Sequence, residues 1–198
     1  MFHSFIKCGS LFVALFFLII SPASSFAAHV NKQNLENVLH AAQFTAWFEQ
    51  GKPSAPHQIY LIADPNCGAC HLFYERAKPY VANGQLTIRW ILVAFLQSSS
   101  LRKAAAILSA TRPALAVESN EKGFNEASES GGIQPLVTID PSLKNRIQEN
   151  LRFMDRSGFN ATPLILFRTT NGKVGVVRGA LPHDQVARLI NIIGSYPK

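Results

Sequence analysis

The sequence predicts an α/β domain in which a strand–helix–strand unit is followed by a helical insertion and closed by a β-hairpin and a helix. Three observations carry that expectation. An apolar run at 58–63 ends in Asp64-Pro65-Asn66 and is followed by a helical stretch and a second apolar run at 86–95. Residues 99–158 are mainly of helical pattern. Thr162-Pro163 then opens two short apolar runs, 164–167 and 174–177, around an Asn171-Gly172 turn, as a hairpin requires.

In chain order, the first 27 residues combine Lys7, an uninterrupted apolar run at 11–20 and the small-residue stretch SPASSFAA. A basic start, a short apolar core and a small-x-small site make a secretory signal peptide cleaved after about Ala27. The chain is therefore expected to be exported to the periplasm, and Lys7 and Cys8 leave with the leader. Residues 28–51 are read as an N-terminal helical arm or linker, with Leu35, Val38, Leu39, Ala42 and residues 44–47 at helical spacing and Gly51-Lys52-Pro53 as the stop. Residues 52–198 form the remaining domain. The run at 58–63 is a buried strand, a helix runs from Cys67 to about residue 82 before Asn83-Gly84, and 86–95 is the second strand. The right-handed crossover rule makes these two strands parallel. Within the insertion, 101–110 is Ala- and Leu-rich, 114–130 is a weaker helix, and Asp140-Pro141 caps a helix that ends at Gly158. Residues 182–193 make a closing amphipathic helix.

Hydrophobic residues make up 47% of the chain and charged residues 16%, which supplies a core and excludes a disordered chain. The formal charge of +7 comes without a Lys/Arg run or a basic stripe interleaved with aromatics, so nucleic acid is not an expected partner.

Of three cysteines, Cys67 and Cys70 remain after export. A bond between residues three apart constrains the unfolded chain little, so the pair is read as chemical, not structural. A cysteine at a helix N-terminus has its thiolate stabilised by unpaired N–H groups and the helix dipole. Cys67 is thus the expected exposed nucleophile, and Cys70, one turn in, the shielded resolving thiol. Gly68 and Ala69 carry no bulk and let a substrate chain approach, and the imidazole of His71 can favour the Cys67 thiolate. Zinc is not expected, because no second Cys pair completes a ligand set. C-G-A-C-H also matches the c-type haem attachment pattern, with His71 and Met154 as candidate axial ligands. Asp64 is read as a turn cap.

The stretches FTAWFEQGKPSAP, IYLIADPNCGACHLFYERAKPYVANGQLTIRWILVAF, LRKAAAILSA, ASESGG and NATPLILF resemble the catalytic domain of the periplasmic protein-disulfide isomerases of the DsbG/DsbC type, nearer to DsbG. The resemblance runs from about Phe44 to the C-terminus and implies a thioredoxin-like fold with a helical insertion. It implies that Pro163 is cis and faces the dithiol, with Thr162 lining the same substrate groove. It implies no cofactor beyond a redox-active Cys67–Cys70 disulfide. The implied partners are unfolded or misoxidised exported proteins and a DsbD-like membrane thiol-redox protein that resets the dithiol. Two departures stand out. Little more than a linking helix precedes the catalytic domain where the family has an N-terminal dimerisation domain, so a monomer is expected. Gly-Ala stands between the cysteines where the family commonly has a proline and an aromatic. Leu61, six residues before Cys67, occupies the place of thioredoxin's buried acid.

The expected function is a periplasmic thiol-disulfide oxidoreductase acting as isomerase or reductase of protein disulfides or cysteine sulfenic acids. The alternatives are a dithiol oxidase that donates disulfides, a haem electron carrier built on Cys67, Cys70 and His71, and a non-catalytic module that holds unfolded segments.

Overall fold

A computed structural model describes residues 32–195 of the chain; the expected leader, Cys8 and the first residues of the arm lie outside them. The described chain begins with α1 (Lys32–Ala42) and β1 (Trp47–Gln50). Then follow β2 (His57–Ala63), α2 (Gly68–Ala82) and β3 (Leu86–Leu92), the expected strand–helix–strand unit. The insertion holds α3 (Ser100–Ser109), α4 (Pro113–Lys122) and α5 (Pro141–Arg156). The closing hairpin is β4 (Leu164–Arg168) and β5 (Val174–Arg178), and α6 (His183–Ile192) follows it. At the hairpin turn Gly172 takes φ +77°, a value that its neighbours with a Cβ rarely adopt.

One five-stranded sheet has the order β1-β3-β2-β4-β5. β2 and β3 are parallel, with Ile59 opposite Ile88 and Leu61 opposite Trp90, as the crossover rule demanded. β1 runs antiparallel to β3, β4 antiparallel to β2, and β5 antiparallel to β4. Alternation along β2 sorts the core into two faces. Ile59, Leu61 and Ala63 pack with Cys67, Cys70, Phe73 and Tyr74 and with the buried faces of α3 and α6. Tyr60 and Ile62 pack with Val38, Leu39 and Ala42 of α1 and with Phe153 and Met154 of α5. α5 serves both cores, since its Leu143 and Ile147 belong to the first.

Two local expectations are corrected. The helix expected across the arm to residue 50 stops at Ala42, and its last part is the edge strand β1. Thr45 closes the helix by donating its Oγ1 to Ala42 O at 2.8 Å. The aromatic residues at 47 and 48 then meet a tertiary demand that outweighs their helical spacing, because Trp47 and Phe48 pair with Ile91 and Trp90 of β3. The weak helix expected to residue 130 ends at Lys122. Gly123 sits so close to Gly132 that a side chain at either would collide with the other's backbone, and Asn125 and Ser130 bond back to back to close a loop instead.

Candidate active site

The dithiol lies at the C-terminal end of β2, where the chain leaves the sheet and enters α2. Cys67 is the N-cap of α2, with φ −89° and ψ 108°, and its Sγ accepts a hydrogen bond from Cys70 N at 3.1 Å. The sulfur thus occupies the position at which unpaired helical N–H groups and the helix dipole favour negative charge. Cys67 and Cys70 are joined as a disulfide with their Cα atoms 5.1 Å apart. Cys67 keeps 5% of its surface exposed and Cys70 1%. The order of exposure is the expected one, but Cys67 is a covered residue, because its side chain belongs to the core beneath β2.

The turn before Cys67 is held by buried polar groups. Asp64 accepts from the backbone N–H of Asn66 (2.9 Å), Phe95 (2.8 Å) and Leu96 (3.1 Å) and from the Ser100 hydroxyl (2.7 Å). Asp64 is therefore a turn cap that also anchors the chain after β3. The Asn66 side chain donates to Ser99 Oγ (2.9 Å) and Ser100 Oγ (3.0 Å) and accepts from Lys103 Nζ (2.9 Å) and Gly131 N (3.1 Å). That fills every donor and acceptor position of the amide. Lys103, 5% exposed, also donates to Ser130 Oγ (2.7 Å) and Gly131 O (2.6 Å). Its three N–H bonds are thereby all used. Burial pulls the Lys103 ammonium below its ordinary range, and the charge of Asp64 opposes that pull.

His71 lies on α2 one residue past Cys70. Its Nδ1 is 3.0 Å from Glu121 Oε2 of α4, and its ring stacks on Phe124 with centroids 4.5 Å apart. Burial pushes the Glu121 carboxyl above its ordinary value, against the hydrogen bonds from Asn120 and His71. Asn120 also donates to Pro65 O at 3.0 Å, which ties α4 to the turn before Cys67. At the helix start, Glu129 Oε1 lies 3.3 Å from where a Cβ on Gly68 would stand. Glu129 is a non-glycine residue at positive φ, 45°, and its carbonyl accepts from Gln97 Nε2 at 2.8 Å. A groove of about 280 Å³ lined by Gly68, Ala69, His71, Leu72, Phe124 and Glu129 adjoins the dithiol. A larger hollow of about 590 Å³ lies between the end of α1 and α5 and is lined by no residue of this site.

Thr162 and Pro163 lead into β4, and their peptide bond is cis. Leu164 pairs with Ile62, so Thr162 and Pro163 lie at the end of β2 from which the Cys67 turn departs. Pro163 is buried, and the buried Thr162 Oγ1 has no hydrogen-bond partner among the described residues. Met154, the second candidate haem ligand, is 1% exposed in the core on the sheet face opposite the cysteines, so the fold does not bring it to His71. Among the described residues, no group of three or more His, Cys, Asp or Glu side chains could hold a metal ion. Among the same residues no helix is long and apolar enough to cross a membrane.

Sequence reasoning located Cys67, Cys70, His71, Thr162 and Pro163 but missed Asn66, Lys103, Glu121 and Glu129. A signal for two of these was present. In α3, Ser100, Lys103, Ala104 and Ile107 share the buried stripe, which puts a lysine where only a fully partnered one belongs. In α4, Val117, Asn120 and Glu121 repeat the pattern with an acid. Nothing local marks Asn66 or Glu129.

A family model for the thioredoxin-like domain matches residues 40–193. The thiol:disulfide interchange protein DsbG of Pseudomonas aeruginosa is 32% identical over 146 residues, covering 74% of this chain and 56% of the relative. DsbG of Escherichia coli is 30% identical over 147 residues, covering 73% and 56%. This chain thus spans little more than half the length of these curated relatives. Among solved structures, a periplasmic thioredoxin-like protein from Salmonella enterica serovar Typhimurium matches with a TM-score of 0.59 at 20% identity, over 78% of this chain and 94% of that one. The catalytic domain of Proteus mirabilis ScsC matches with a TM-score of 0.57 at 17% identity, over 81% and 96%. At these identities the structural matches speak for the fold alone.

Proposed function

Because this chain belongs to the thioredoxin-like domain family, we propose that it is an exported, periplasmic thiol-disulfide oxidoreductase that reduces or isomerises disulfides of other exported proteins. The observation that carries this reading is the placement of Cys67. Its sulfur caps α2, Cys70 N–H donates to it, and Thr162-Pro163 lies at the same end of the sheet.

In the reduced enzyme, the Cys67 thiolate attacks one sulfur of a substrate disulfide. A Cys67–substrate bond forms, the substrate S–S bond breaks, and the second substrate sulfur leaves as a thiolate. In isomerisation that thiolate attacks elsewhere in the substrate and Cys67 is finally expelled, with no net electron transfer. In reduction the Cys70 thiolate attacks Cys67 Sγ, releases the substrate as a dithiol and leaves the Cys67–Cys70 disulfide. A membrane thiol-redox partner then returns two electrons, and two protons are taken up. With a sulfenic acid as substrate, Cys67 displaces hydroxide and the same resolution follows. Gly68 and Ala69 keep the approach open. The backbone beside Pro163 pairs with an extended substrate segment, as edge addition allows. The chemistry needs only the two cysteines, and residues 99–158 form an insertion in the domain that carries them.

The test is acid-quenched trapping of the exported protein from growing cells with a bulky thiol reagent, read by mass. Two labels, on Cys67 and Cys70, match a site kept reduced for reductase or isomerase work. No label and no added mass means a standing disulfide and reassigns the protein to disulfide donation. Added haem mass on the cysteines overturns the thiol reading altogether.

A further inference from the structure

The buried polar groups behind Cys67 form one continuous chain. The Lys103 ammonium donates to Asn66 Oδ1, Asn66 Nδ2 donates to Ser100 Oγ, and Ser100 Oγ donates to Asp64 Oδ1. Lys103, Asn66, Ser100 and Asp64 are all nearly or fully buried. The chain is electrically balanced, a cation at one end and a carboxylate at the other. Asn66 is the residue that immediately precedes Cys67. A lysine in a core needs its charge compensated, and most proteins would fill a helix stripe such as Ser100, Ala104 and Ile107 with an apolar side chain.

We propose that Lys103 is a positioning residue for the dithiol, whose buried ammonium fixes Asn66 and stabilises the Cys67 thiolate. The proposal rests on the reading of Cys67 as nucleophile. The other charged groups at the start of α2 act in the opposite sense or are occupied. Glu129 stands over Gly68, Glu126 lines the same groove, Glu121 is bound to His71, and Asp64 is saturated by four donors. Against these carboxylates, the helix start and Lys103 supply the favourable field. Reduction of the disulfide adds a negative charge on the residue that follows Asn66, so the ammonium held on Asn66 Oδ1 stabilises the reduced form more than the oxidised one.

The experiment compares wild type with Lys103→Gln, Lys103→Met and Lys103→Arg. Cys67 ionisation is titrated by thiolate absorbance in the reduced protein, and the dithiol is equilibrated against glutathione. Gln and Met remove the charge, and Gln keeps donors for Asn66 and Gly131. Both are expected to raise the Cys67 pKa by about one unit and to move the glutathione equilibrium toward the protein disulfide by up to about tenfold. Arg keeps the charge and is expected to leave the pKa where it is. Folded Gln and Met variants with an unmoved pKa overturn the proposal. Should neither neutral variant fold, an upward move of a full unit in Lys103→Arg overturns it, because the charge is then not what holds the thiolate. A wild-type protein that does not exchange with glutathione at all refutes the nucleophile reading instead, and the two failures are thus distinguishable.

Discussion

Replacing Asn150 by leucine removes the side chain that fastens the insertion to the sheet. Asn150 is fully buried in α5. Its Oδ1 accepts from Ala46 N at 2.9 Å, and its Nδ2 donates to Ala46 O and Leu92 O, each at 2.9 Å. One amide therefore ties the approach to β1, the end of β3 and α5 together. Leucine keeps the heavy-atom count and branching of the side chain but is bulkier, and one N–H and two carbonyls lose their partner. At about 1 kcal/mol net for each hydrogen bond, rising where the orphaned group stays buried, the loss is about 3–5 kcal/mol. That is a large fraction of the ~5–15 kcal/mol by which a domain of this size is stable. The assay is equilibrium urea unfolding of the disulfide-intact protein, followed by tryptophan fluorescence and far-UV circular dichroism. With a slope of about 2 kcal/mol per M, the midpoint falls by roughly 1.5 M or more. Asn150→Asp sharpens the test. Its second oxygen faces two carbonyls, so the acid must protonate to stay in place, and the deficit should grow as pH rises above the ordinary carboxylate range. A midpoint shift below about 0.5 M in Asn150→Leu, with unchanged slope, refutes the assignment of Asn150 as the fastening.

Further expectations concern the site and its supports. Cys70→Ser should accumulate a mixed disulfide with substrate proteins, visible on non-reducing gels, and Cys67→Ser should form none; the reverse pattern would exchange their roles. Gly131→Ala pushes a Cβ into Asn120 Oδ1 and Pro65 O and should cost about 1–3 kcal/mol in urea unfolding. Gly68→Ala meets only the flexible end of Glu129 and should leave the unfolding midpoint unchanged or slightly raised. Burial raises the Glu121 carboxyl in the fold, so the folded state binds its proton more tightly than the unfolded state does. Its ionisation then lowers stability as pH climbs from the ordinary carboxylate value through the raised one. Glu121→Gln should lose that slope, and parallel Tm-against-pH curves for variant and wild type would refute it.

The parts of the fold legible in the sequence were those written locally. The runs that became β2 and β3 are apolar on both faces, as a central parallel pair must be, and Asp64-Pro65-Asn66 and Asn83-Gly84 mark where the chain turns. Asn171-Gly172 announced the hairpin and Asp140-Pro141 the start of α5. What stayed hidden depended on partners far away in sequence. Trp47–Gln50 satisfies helical spacing as well as a strand does, and the decision belongs to β3 and Asn150. The cysteines were legible because their spacing is their chemistry. Their electrical surroundings were not, because Lys103, Glu121 and Glu129 meet Asn66, His71 and Gly68 only after α3, α4 and the following loop have folded back onto the start of α2.

That distribution bears on what the insertion is for. Asp64, Asn66 and Pro65 are bonded by Ser99, Ser100, Lys103, Asn120 and Gly131, all from the inserted segment. The strand–helix–strand unit alone would leave the Asn66 amide without any of its four partners and take the Ser100 hydroxyl from Asp64, at a penalty of about 1–3 kcal/mol for each unpaired group that stays buried. The insertion is therefore part of the construction of the Cys67–Cys70 site and not an appendage to a finished one. It brings charges of both signs to the same helix start, Lys103 behind Cys67 and Glu129 and Glu121 on the flanks. A thiolate held between such opposed fields can have its stability retuned by a single substitution in α3 or in the loop at 125–130, without any change in the Cys67–Cys70 segment.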